Sequence, residues 1–266
     1  MNGLHLEFKP HELKPKESRL FQDLVYKIAG IRMDDRKHAL IQNRLRKRLI
    51  ATGMQSYREY YDYIISSNHA DELQECLNQL TTNETFFFRH KNQWDFFTQV
   101  FIPEWIQSHK NGDMIRIWSA AASTGEEAYS SAIALYELMP HDKGFHISIE
   151  ATDINQDVLD RAERGVYREY AVQKLTKACL TKYFQYDEKT ETYMLCDTIR
   201  KLVRFKKHNL LLPTHGPPFD LIFIRNVMIY FDDKSKEIVI QNIAKRLKTG
   251  YVILGGAETL SSYEKW

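Results

Sequence analysis

The stretch from Ile115 to Asp153 constrains the fold of this chain more than any other. A strand-like run, Ile115-Arg-Ile-Trp-Ser-Ala120, enters a turn of small residues, Ala120-Ala-Ala-Ser-Thr-Gly-Glu-Glu127. The turn opens an apolar-periodic helix, and a second strand-like run ends on Asp153. Strand, tight turn, helix and strand ending in an acid form the first βαβ unit of a nucleoside-cofactor fold, with the acid placed to accept hydrogen bonds from ribose hydroxyls. A dinucleotide site needs several glycines in such a turn, so that backbone N–H groups can close on a pyrophosphate at the positive end of the helix dipole. This turn has one, Gly125, and it sets Glu126 and Glu127 in the first helical turn, where they suit the dipole but repel a phosphate. A cofactor that joins a ribose to a cationic end fits better, and S-adenosylmethionine, with its sulfonium and ammonium groups, is the common one. The same unit also occurs in α/β proteins that bind no nucleotide, so the choice falls to the rest of the chain.

At 266 residues, 43% hydrophobic and 27% charged, the composition is that of an ordinary globular protein with one large domain or two modest ones. The start, Met1 to Pro10, has no apolar signal core, and no later apolar run approaches the ~20 residues of a membrane helix. The expected location is therefore the cytoplasm, without membrane insertion, and the expected state is a monomer. Cys76, Cys179 and Cys196 lie far apart with no CxxC pair, which suggests neither a disulfide framework nor a zinc site. No pair among His90, His208 and His215 has metal-ligand spacing, so no metal is expected. A net charge of +2, from 37 basic and 35 acidic residues, is not that of a polycation, and nucleic acid is not an expected partner. Charge is uneven in one place: from Arg36 to Arg48 there are six Lys or Arg and no acid. This run reads either as a solvated helix face or as a docking surface for an acidic partner, with Lys37, Arg44 and Arg48 on one stripe and expected to project together.

Helical periodicity dominates residues 1–80. Leu20, Phe21, Leu24, Val25 and Ile28 repeat on one face before Gly30, and Leu40, Ile41, Leu45 and Leu49 do so before Gly53. Tyr57, Tyr60, Tyr61, Ile64 and Ile65 mark a third helix and Leu73, Leu77 and Leu80 a fourth, which predicts a small bundle. Residues 81–93 read as a linker, because Asn83-Glu-Thr-Phe-Phe-Phe-Arg89 has neither helical nor alternating logic, although a helix begins at 91 and runs to 108. In residues 94–266 strands at 114–121, 145–152, 203–208, 219–224 and 250–255 alternate with helices at 125–138, 155–164, 173–184 and 233–247. That order predicts a parallel sheet wrapped by helices, with a small antiparallel excursion at about 185–202.

In an open α/β sheet ligands bind beyond the carboxyl ends of the strands. The residues that follow the predicted strands are Ser119 to Glu127, Asp153, Asn209-Leu210 and Arg225-Asn226-Val-Met-Ile-Tyr230-Phe231, all on one rim. A carboxamide such as Asn209 suits an adenine edge, and Asn226 with Tyr230 falls where a methyl donor meets its acceptor. Taken singly, an ordinary turn asparagine and a packed tyrosine are the alternatives.

Five strings of this sequence resemble, in order and at the same spacings, the motifs of the chemotaxis receptor glutamate methyltransferases, the CheR proteins. They are Thr82-Asn-Glu-Thr-Phe-Phe-Phe-Arg89, Trp118-Ser-Ala-Ala-Ala-Ser-Thr-Gly-Glu-Glu127, Ala151-Thr-Asp-Ile154, His208-Asn-Leu210 and Phe219-Asp-Leu-Ile-Phe-Ile-Arg-Asn-Val-Met-Ile-Tyr-Phe231. The resemblance covers nearly the whole chain. It implies a Rossmann-like class I S-adenosylmethionine-dependent methyltransferase domain of the α/β class, with a small all-α N-terminal domain and a small antiparallel β-subdomain insertion. It also implies transfer of a methyl group to the γ-carboxylate of glutamates on the cytoplasmic helices of chemoreceptors, with S-adenosylhomocysteine as product. By the same resemblance Asn83, Thr85, Arg89, Glu127, Asp153, Asn209, Leu210, Asn226 and Val227 line the cofactor site, Arg89 and Tyr230 lie nearest the transfer, and the helical domain with its basic helix faces the receptor.

The residue types agree with that chemistry. A glutamate side chain, with a pKa of about 4.3, is already ionised, so the acceptor needs no general base and the enzyme's tasks are positioning and desolvation. Arg89 could hold the carboxylate and Tyr230 orient it; the alternative for Arg89 is an ion pair onto Glu127 or Asp153. The chain departs from the family at Gly125-Glu-Glu-Ala128, where Pro is usual in place of Ala, and at Gly255-Gly-Ala-Glu258, where Gly-His-Ser-Glu is common. It also ends at Trp266, before the hairpin that completes such sheets, which would leave strand 250–255 as an apolar edge. Gln185 to Thr192 has no glycine, which predicts docking independent of a receptor tail peptide. Two other readings stay open: a methyltransferase acting on nucleic acid or a small molecule, disfavoured because Arg-Asn-Val-Met replaces the Asn-Pro-Pro-Tyr of base-flipping enzymes, and a scaffold that binds the cofactor without catalysis.

Overall fold

A computed structural model describes residues 10–66 and 68–259. The chain forms two compact units, one running to Thr82 and including Tyr230–Asp232, the other formed by Asn83–Ile229 and the chain from Asp233 onward.

The first unit holds four helices, α1 (Pro15–Ala29), α2 (His38–Thr52), α3 (Tyr57–Ile64) and α4 (Ala70–Leu80). Local chemistry sets their ends. Pro15 opens α1, where the Glu17 carboxylate accepts the Lys14 N–H at 2.8 Å, and the Ser56 hydroxyl caps α3 by accepting the Glu59 N–H at 3.2 Å. The apolar stripes meet in one core, in which Phe21, Ile41, Leu45, Leu49, Tyr57, Tyr60, Ile64, Cys76 and Leu80 are buried. Phe21 meets Tyr57 and Tyr61 edge-on and stacks on Tyr60. Residues 230–232 belong here through the backbone: the Arg32 N–H donates to the Tyr230 carbonyl at 2.8 Å, Ile31 bridges to Phe231, and the Tyr26 hydroxyl donates to Asp232 Oδ2 at 2.7 Å.

The basic helix departs from the reading of a projecting stripe. Arg44 is half-buried and donates to the Leu80 and Thr81 carbonyls, at 3.1 and 2.8 Å, at the C-terminal end of α4. Arg48 pairs with Glu72 at 2.6 Å and reaches Glu75 at 3.6 Å, while the Tyr60 hydroxyl donates to the same Glu72 at 2.7 Å. Of the expected docking trio only Lys37 stays exposed; α2 and α4 need the other two cations to close orphan carbonyls and a nearly buried carboxylate.

The second unit begins with α5 (Lys91–Phe96) and α6 (Ile102–Ser108), joined by a wider π-type turn over Phe97–Phe101. Pro103 lacks an N–H and its ring crowds the carbonyl one turn back, so the ladder slips and the Ile102 N–H donates to the Phe97 carbonyl instead. There follow β1 (Met114–Ala120), α7 (Glu126–Leu138), β2 (His146–Asp153), α8 (Gln156–Arg164), β3 (Val166–Arg168), α9 (Glu169–Val172), α10 (Lys177–Tyr183), β4 (Phe184–Asp187), β5 (Thr192–Leu195) and α11 (Asp197–Arg200). The unit closes with β6 (Val203–Lys207), β7 (Phe219–Ile224), α12 (Asp233–Ala244) and β8 (Leu247–Leu254). The helix expected over 173–184 starts later, where the Thr176 hydroxyl caps α10 by accepting the Cys179 N–H at 3.2 Å.

Five strands pair in the order β6-β2-β1-β7-β8, and every pairing is parallel. The chain moves outward from β1 through β2 to β6 and then returns to the other side of β1 with β7. The order reverses between β1 and β7, and the crevice beyond their carboxyl ends is where such sheets take a ligand. Strand β8 lies at an edge, with Ile253 buried and Val252 and Leu254 half-buried. Tyr251 packs its ring on Phe96 and Phe101 and donates to Glu104 at 2.9 Å. Residues 260–266 lie outside the described residues. A three-stranded antiparallel sheet, β3-β5-β4, forms the small excursion, and its strand β3 comes from 166–168, outside the span expected for it. No helix among the described residues is long and apolar enough to cross a membrane.

Removing Arg48 strands the Glu72 carboxylate with little solvent around it. Arg48→Ala should therefore lower the stability of the helical unit by about 2 kcal/mol, discounting a buried pair's loss for partial exposure. Lys47→Ala, on the exposed face, should change it by less than about 0.5 kcal/mol. Urea unfolding of both variants checks this, and equal effects would remove the structural role given to Arg48.

Candidate active site

The turn between β1 and α7 is built from backbone strain held by hydrogen bonds. Ala121, Ser123 and Gly125 have φ of 84°, 50° and 91°. The Ala121 and Ala122 N–H groups donate to the Thr152 carbonyl at 2.9 and 2.8 Å, which fixes the turn against the end of β2. Gly125 is required for packing: a Cβ there would lie 2.8 Å from the Ala162 Cβ and 3.0 Å from the Phe205 ring. The one glycine of the turn thus serves close approach to α8 and β6, and the turn has no others with which to wrap a pyrophosphate.

Asp153 ends β2 and is almost wholly buried. One carboxylate oxygen accepts the Ser123 N–H at 2.9 Å and the other the Asn155 N–H at 3.0 Å. Burial pushes its carboxyl up from the ordinary value, against the pull of the backbone N–H groups of Asn155, Ser123 and Ile154. A carboxylate has about four acceptor sites, so these backbone donors leave room for a further one. The acid is thereby fixed in orientation while keeping the capacity to accept from ribose hydroxyls.

The two glutamates of the first turn of α7 behave differently from the sequence reading, in which both stood as charges facing the site. Glu127 accepts from the Ser119 hydroxyl at 2.7 Å and pairs with Arg225 at 3.0 Å. Burial pushes its carboxyl up and Arg225 pulls it down, so the charge has an internal counter-ion. Glu126 is buried beside the Thr124 hydroxyl, and burial pushes its carboxyl up to about 7. Repulsion of phosphate by two free carboxylates is therefore not the turn's argument; its lack of glycine is.

Arg225 also donates to the Arg89 carbonyl and lies over the Trp94 ring at 5.7 Å. It ties the end of β7 to the segment 83–90, which carries three expected site residues. Within that segment the Asn83 carbonyl accepts from the Ser123 hydroxyl at 2.9 Å, the Phe87 N–H donates to the Ala171 carbonyl at 2.9 Å, and the Phe88 N–H donates to the Ser130 hydroxyl at 3.0 Å. Thr85 is half-buried in it. Arg89 donates to the Glu84 carbonyl at 2.7 Å and sits over Phe86. No ion pair joins it to Glu127 or Asp153 among the described residues, since the cation on Glu127 is Arg225.

Asn226 and Val227 follow β7, with Asn226 at φ 59°. The Asn209 side-chain oxygen accepts the Leu211 N–H at 3.0 Å, a turn role, and Leu210 is buried with its carbonyl accepting from Asn242 at 3.0 Å. Six non-glycine residues have positive φ among the described residues, and five of them, Phe88, His90, Ala121, Ser123 and Asn226, fall in these three loops. Such conformations cost about 1–3 kcal/mol each and gather at functional sites. The structure thus brings Asn83, Thr85, Arg89, Glu127, Asp153, Asn226 and Val227 onto segments tied directly to one another, places Asn209 and Leu210 after β6, and assigns Tyr230 to the helical unit. Sequence reasoning gave no role to Arg225 or Glu258, which hold the loop after β7; the only signal was their presence inside quoted motifs.

No cluster of three metal-ligating side chains occurs among the described residues. The fit of S-adenosylmethionine rests on a buried acid with spare acceptor capacity, a glycine-poor turn and a strained rim at the switch point of the sheet.

The family model "CheR methyltransferase, SAM binding domain" matches residues 83–266, and "CheR methyltransferase, all-alpha domain" matches residues 16–81. A chemotaxis protein methyltransferase of Borreliella burgdorferi is 35% identical, over 93% of this chain and 89% of the relative. Chemotaxis protein methyltransferase 2 of Vibrio cholerae is 36% identical, over 91% of this chain and 84% of the relative. Among solved structures, the glycopeptide N-methyltransferase MtfA with sinefungin aligns with a TM-score of 0.38 and 10% identity, over 64% of this chain and 50% of that one.

Glu126 generates a pH prediction. An acid whose pKa is higher folded than unfolded binds more protons when folded, so stability is greatest below the ordinary value of 4.5 and falls as pH rises through about 7. Glu126→Gln should remove that decline, leaving the variant more stable than the parent at pH 8 by up to about 3 kcal/mol, with the gap closing toward pH 4.5. Unfolding midpoints across this range check it, and parallel curves would contradict it.

Proposed function

Because the chain belongs to the CheR methyltransferase family, we propose that it transfers a methyl group from S-adenosylmethionine to the side-chain carboxylate of glutamates on the cytoplasmic helices of chemoreceptors. The products are glutamate methyl esters and S-adenosylhomocysteine. The observation that carries this reading is the rim at the carboxyl ends of β1, β2 and β7, where strained loops are locked by buried charges around Asp153.

When bound, the cofactor supplies an activated methyl group on its sulfonium. Asp153 accepts from ribose hydroxyls with the acceptor capacity that its backbone bonds leave free. Asn209 and Leu210 face the adenine, and Asn83, Thr85, Glu127, Asn226 and Val227 line the remainder. The acceptor glutamate is ionised at neutral pH, so no residue has to remove a proton. Arg89 is the cation suited to hold that carboxylate, because among the described residues its guanidinium meets a backbone carbonyl and an aromatic face and no carboxylate. Stripping water from the carboxylate raises its nucleophilicity, and the guanidinium offsets the cost of doing so. Tyr230 serves as the hydrogen-bond donor that orients the acceptor. The chain works as a monomer in the cytoplasm, with no metal.

Calorimetry with S-adenosylhomocysteine, and tritiated-methyl transfer to receptor-containing membranes, test this together. Binding with transfer supports it; binding without transfer would leave a scaffold, and no binding would remove the assignment. Arg89→Ala should lower turnover at least a hundredfold while moving the melting temperature by no more than a few degrees, since an orienting cation acts on the positioned reactants. Collapse of stability with normal turnover in the remaining folded enzyme would make Arg89 structural.

Docking on an acidic receptor helix falls to Lys37, Arg46 and Lys47, exposed cations of the basic run, since the fourth exposed one, Arg36, is paired with Asp34. Reversing all three to Glu should leave S-adenosylhomocysteine affinity intact, slow transfer to receptor, and flatten its dependence on ionic strength, because exposed charges are screened over about 8 Å at physiological salt. Parental rates at low salt would place docking elsewhere.

A further inference from the structure

We infer that Glu258 is a positioning residue for methyl transfer, whose carboxylate holds the loop Asn226–Met228 in the shape that the cofactor rim requires. This rests on the reading of that rim given above. The loop leaves β7 at the point where the strand order reverses, and Asn226 takes it through a left-handed conformation at φ 59°. Three successive N–H groups, those of Asn226, Val227 and Met228, then converge and form an anion-binding nest. Glu258 fills it: Oε2 accepts from Asn226 at 2.8 Å, and Oε1 accepts from Val227 at 2.9 Å and from Met228 at 2.7 Å. A fourth donor, the Gly255 N–H, reaches Oε2 at 2.6 Å. Hydrogen bonds to an ionised acceptor are about twice as strong as neutral ones, so one side chain fixes the whole loop.

The surroundings fit closely around this contact. A Cβ on Gly255 would lie 2.5 Å from Glu258 Oε2 and 2.9 Å from the Asn226 nitrogen. Upstream, Gln93 donates to the Leu254 carbonyl at 2.5 Å and holds the end of β8. On the other flank of the loop, Arg225 is anchored on Glu127 and the Arg89 carbonyl. Asn226 to Met228 is thus clamped between a buried cation and a half-buried carboxylate.

This clamp also explains where the sequence tolerates change. In Gly255-Gly-Ala-Glu258 the two outer residues make the contact, whereas Gly256 and Ala257 are exposed, and a Cβ on Gly256 would meet nothing within 4 Å. The histidine and serine common at those middle positions can be absent without loss of the loop.

The test compares the parent with Glu258→Ala, Glu258→Gln and the control Gly256→Ala. Amide hydrogen exchange at residues 226–228, S-adenosylhomocysteine affinity, and kcat and KM for receptor methylation are measured on each. Glu258→Ala should speed exchange at these amides at least tenfold, weaken cofactor binding about tenfold, and lower kcat while leaving KM for receptor within twofold. Glu258→Gln, which keeps one acceptor oxygen, should recover part of each, and Gly256→Ala should match the parent. Should Glu258→Ala fail to fold, Glu258→Gln carries the test with intermediate values expected. Folded variants with parental exchange, affinity and kcat would overturn the inference. A parent that methylates no receptor would instead overturn the receptor reading, and exchange and affinity would still decide the role of Glu258.

Discussion

The guanidinium of Arg225 is the point on which the methyltransferase unit depends. It joins Glu127 at the start of α7, the carbonyl of Arg89 and the face of Trp94, so three stretches distant in sequence meet on one charge. Its side chain is 3% exposed and that of Glu127 13%, so neither ion has water to fall back on. Removing one partner of such a pair costs about 3–5 kcal/mol, because the other is left charged and buried. The strand β7, the helix after β1 and the segment 83–90 are therefore obliged to stay together, and the crevice between β1 and β7 has fixed walls.

A second constraint is shared by the loops of the rim. Three of them are strained, and at two points a carboxylate accepts converging backbone N–H groups: Asp153 takes those of Ser123, Ile154 and Asn155, and Glu258 those of Gly255, Asn226, Val227 and Met228. Charge-assisted bonds to backbone offset the left-handed conformations of Ser123 and Asn226. Asp153 differs in having acceptor capacity left for a ligand, whereas the Glu258 carboxylate is filled by the protein itself. The proposed ligand contact and the proposed loop positioning thus fall to two different acids.

Much of this was legible from the chain because it rests on local pattern. The strand at 219–224 was read to the residue, since a continuous apolar run bounded by turn residues leaves one solution, and the βαβ unit ending at Asp153 declared itself by its small residues. What escaped depends on contacts between distant positions. Helix 91–108 has an unbroken apolar pattern, but the π-type turn follows from how Pro103 interrupts the ladder. Strand β3 is three residues long and exists only because β5 pairs with it. The stripe of Lys37, Arg44 and Arg48 was a correct count of charge and an incorrect account of direction, since Arg44 and Arg48 turn inward to α4, and sequence does not show a partner 24 to 37 residues away. Glu258 lay 32 residues from the backbone it holds and looked like a remnant of a motif.

The central claim is that the rim beyond β1, β2 and β7, with Asp153 as its fixed acceptor, is the cofactor site. A crystal structure of the chain with S-adenosylhomocysteine tests it most directly. The account predicts ribose hydroxyls within hydrogen-bond distance of the Asp153 carboxylate, with the bonds from Ser123 and Asn155 kept and the Arg225–Glu127 pair intact. A ligand bound elsewhere, with Asp153 still held only by backbone, would contradict it.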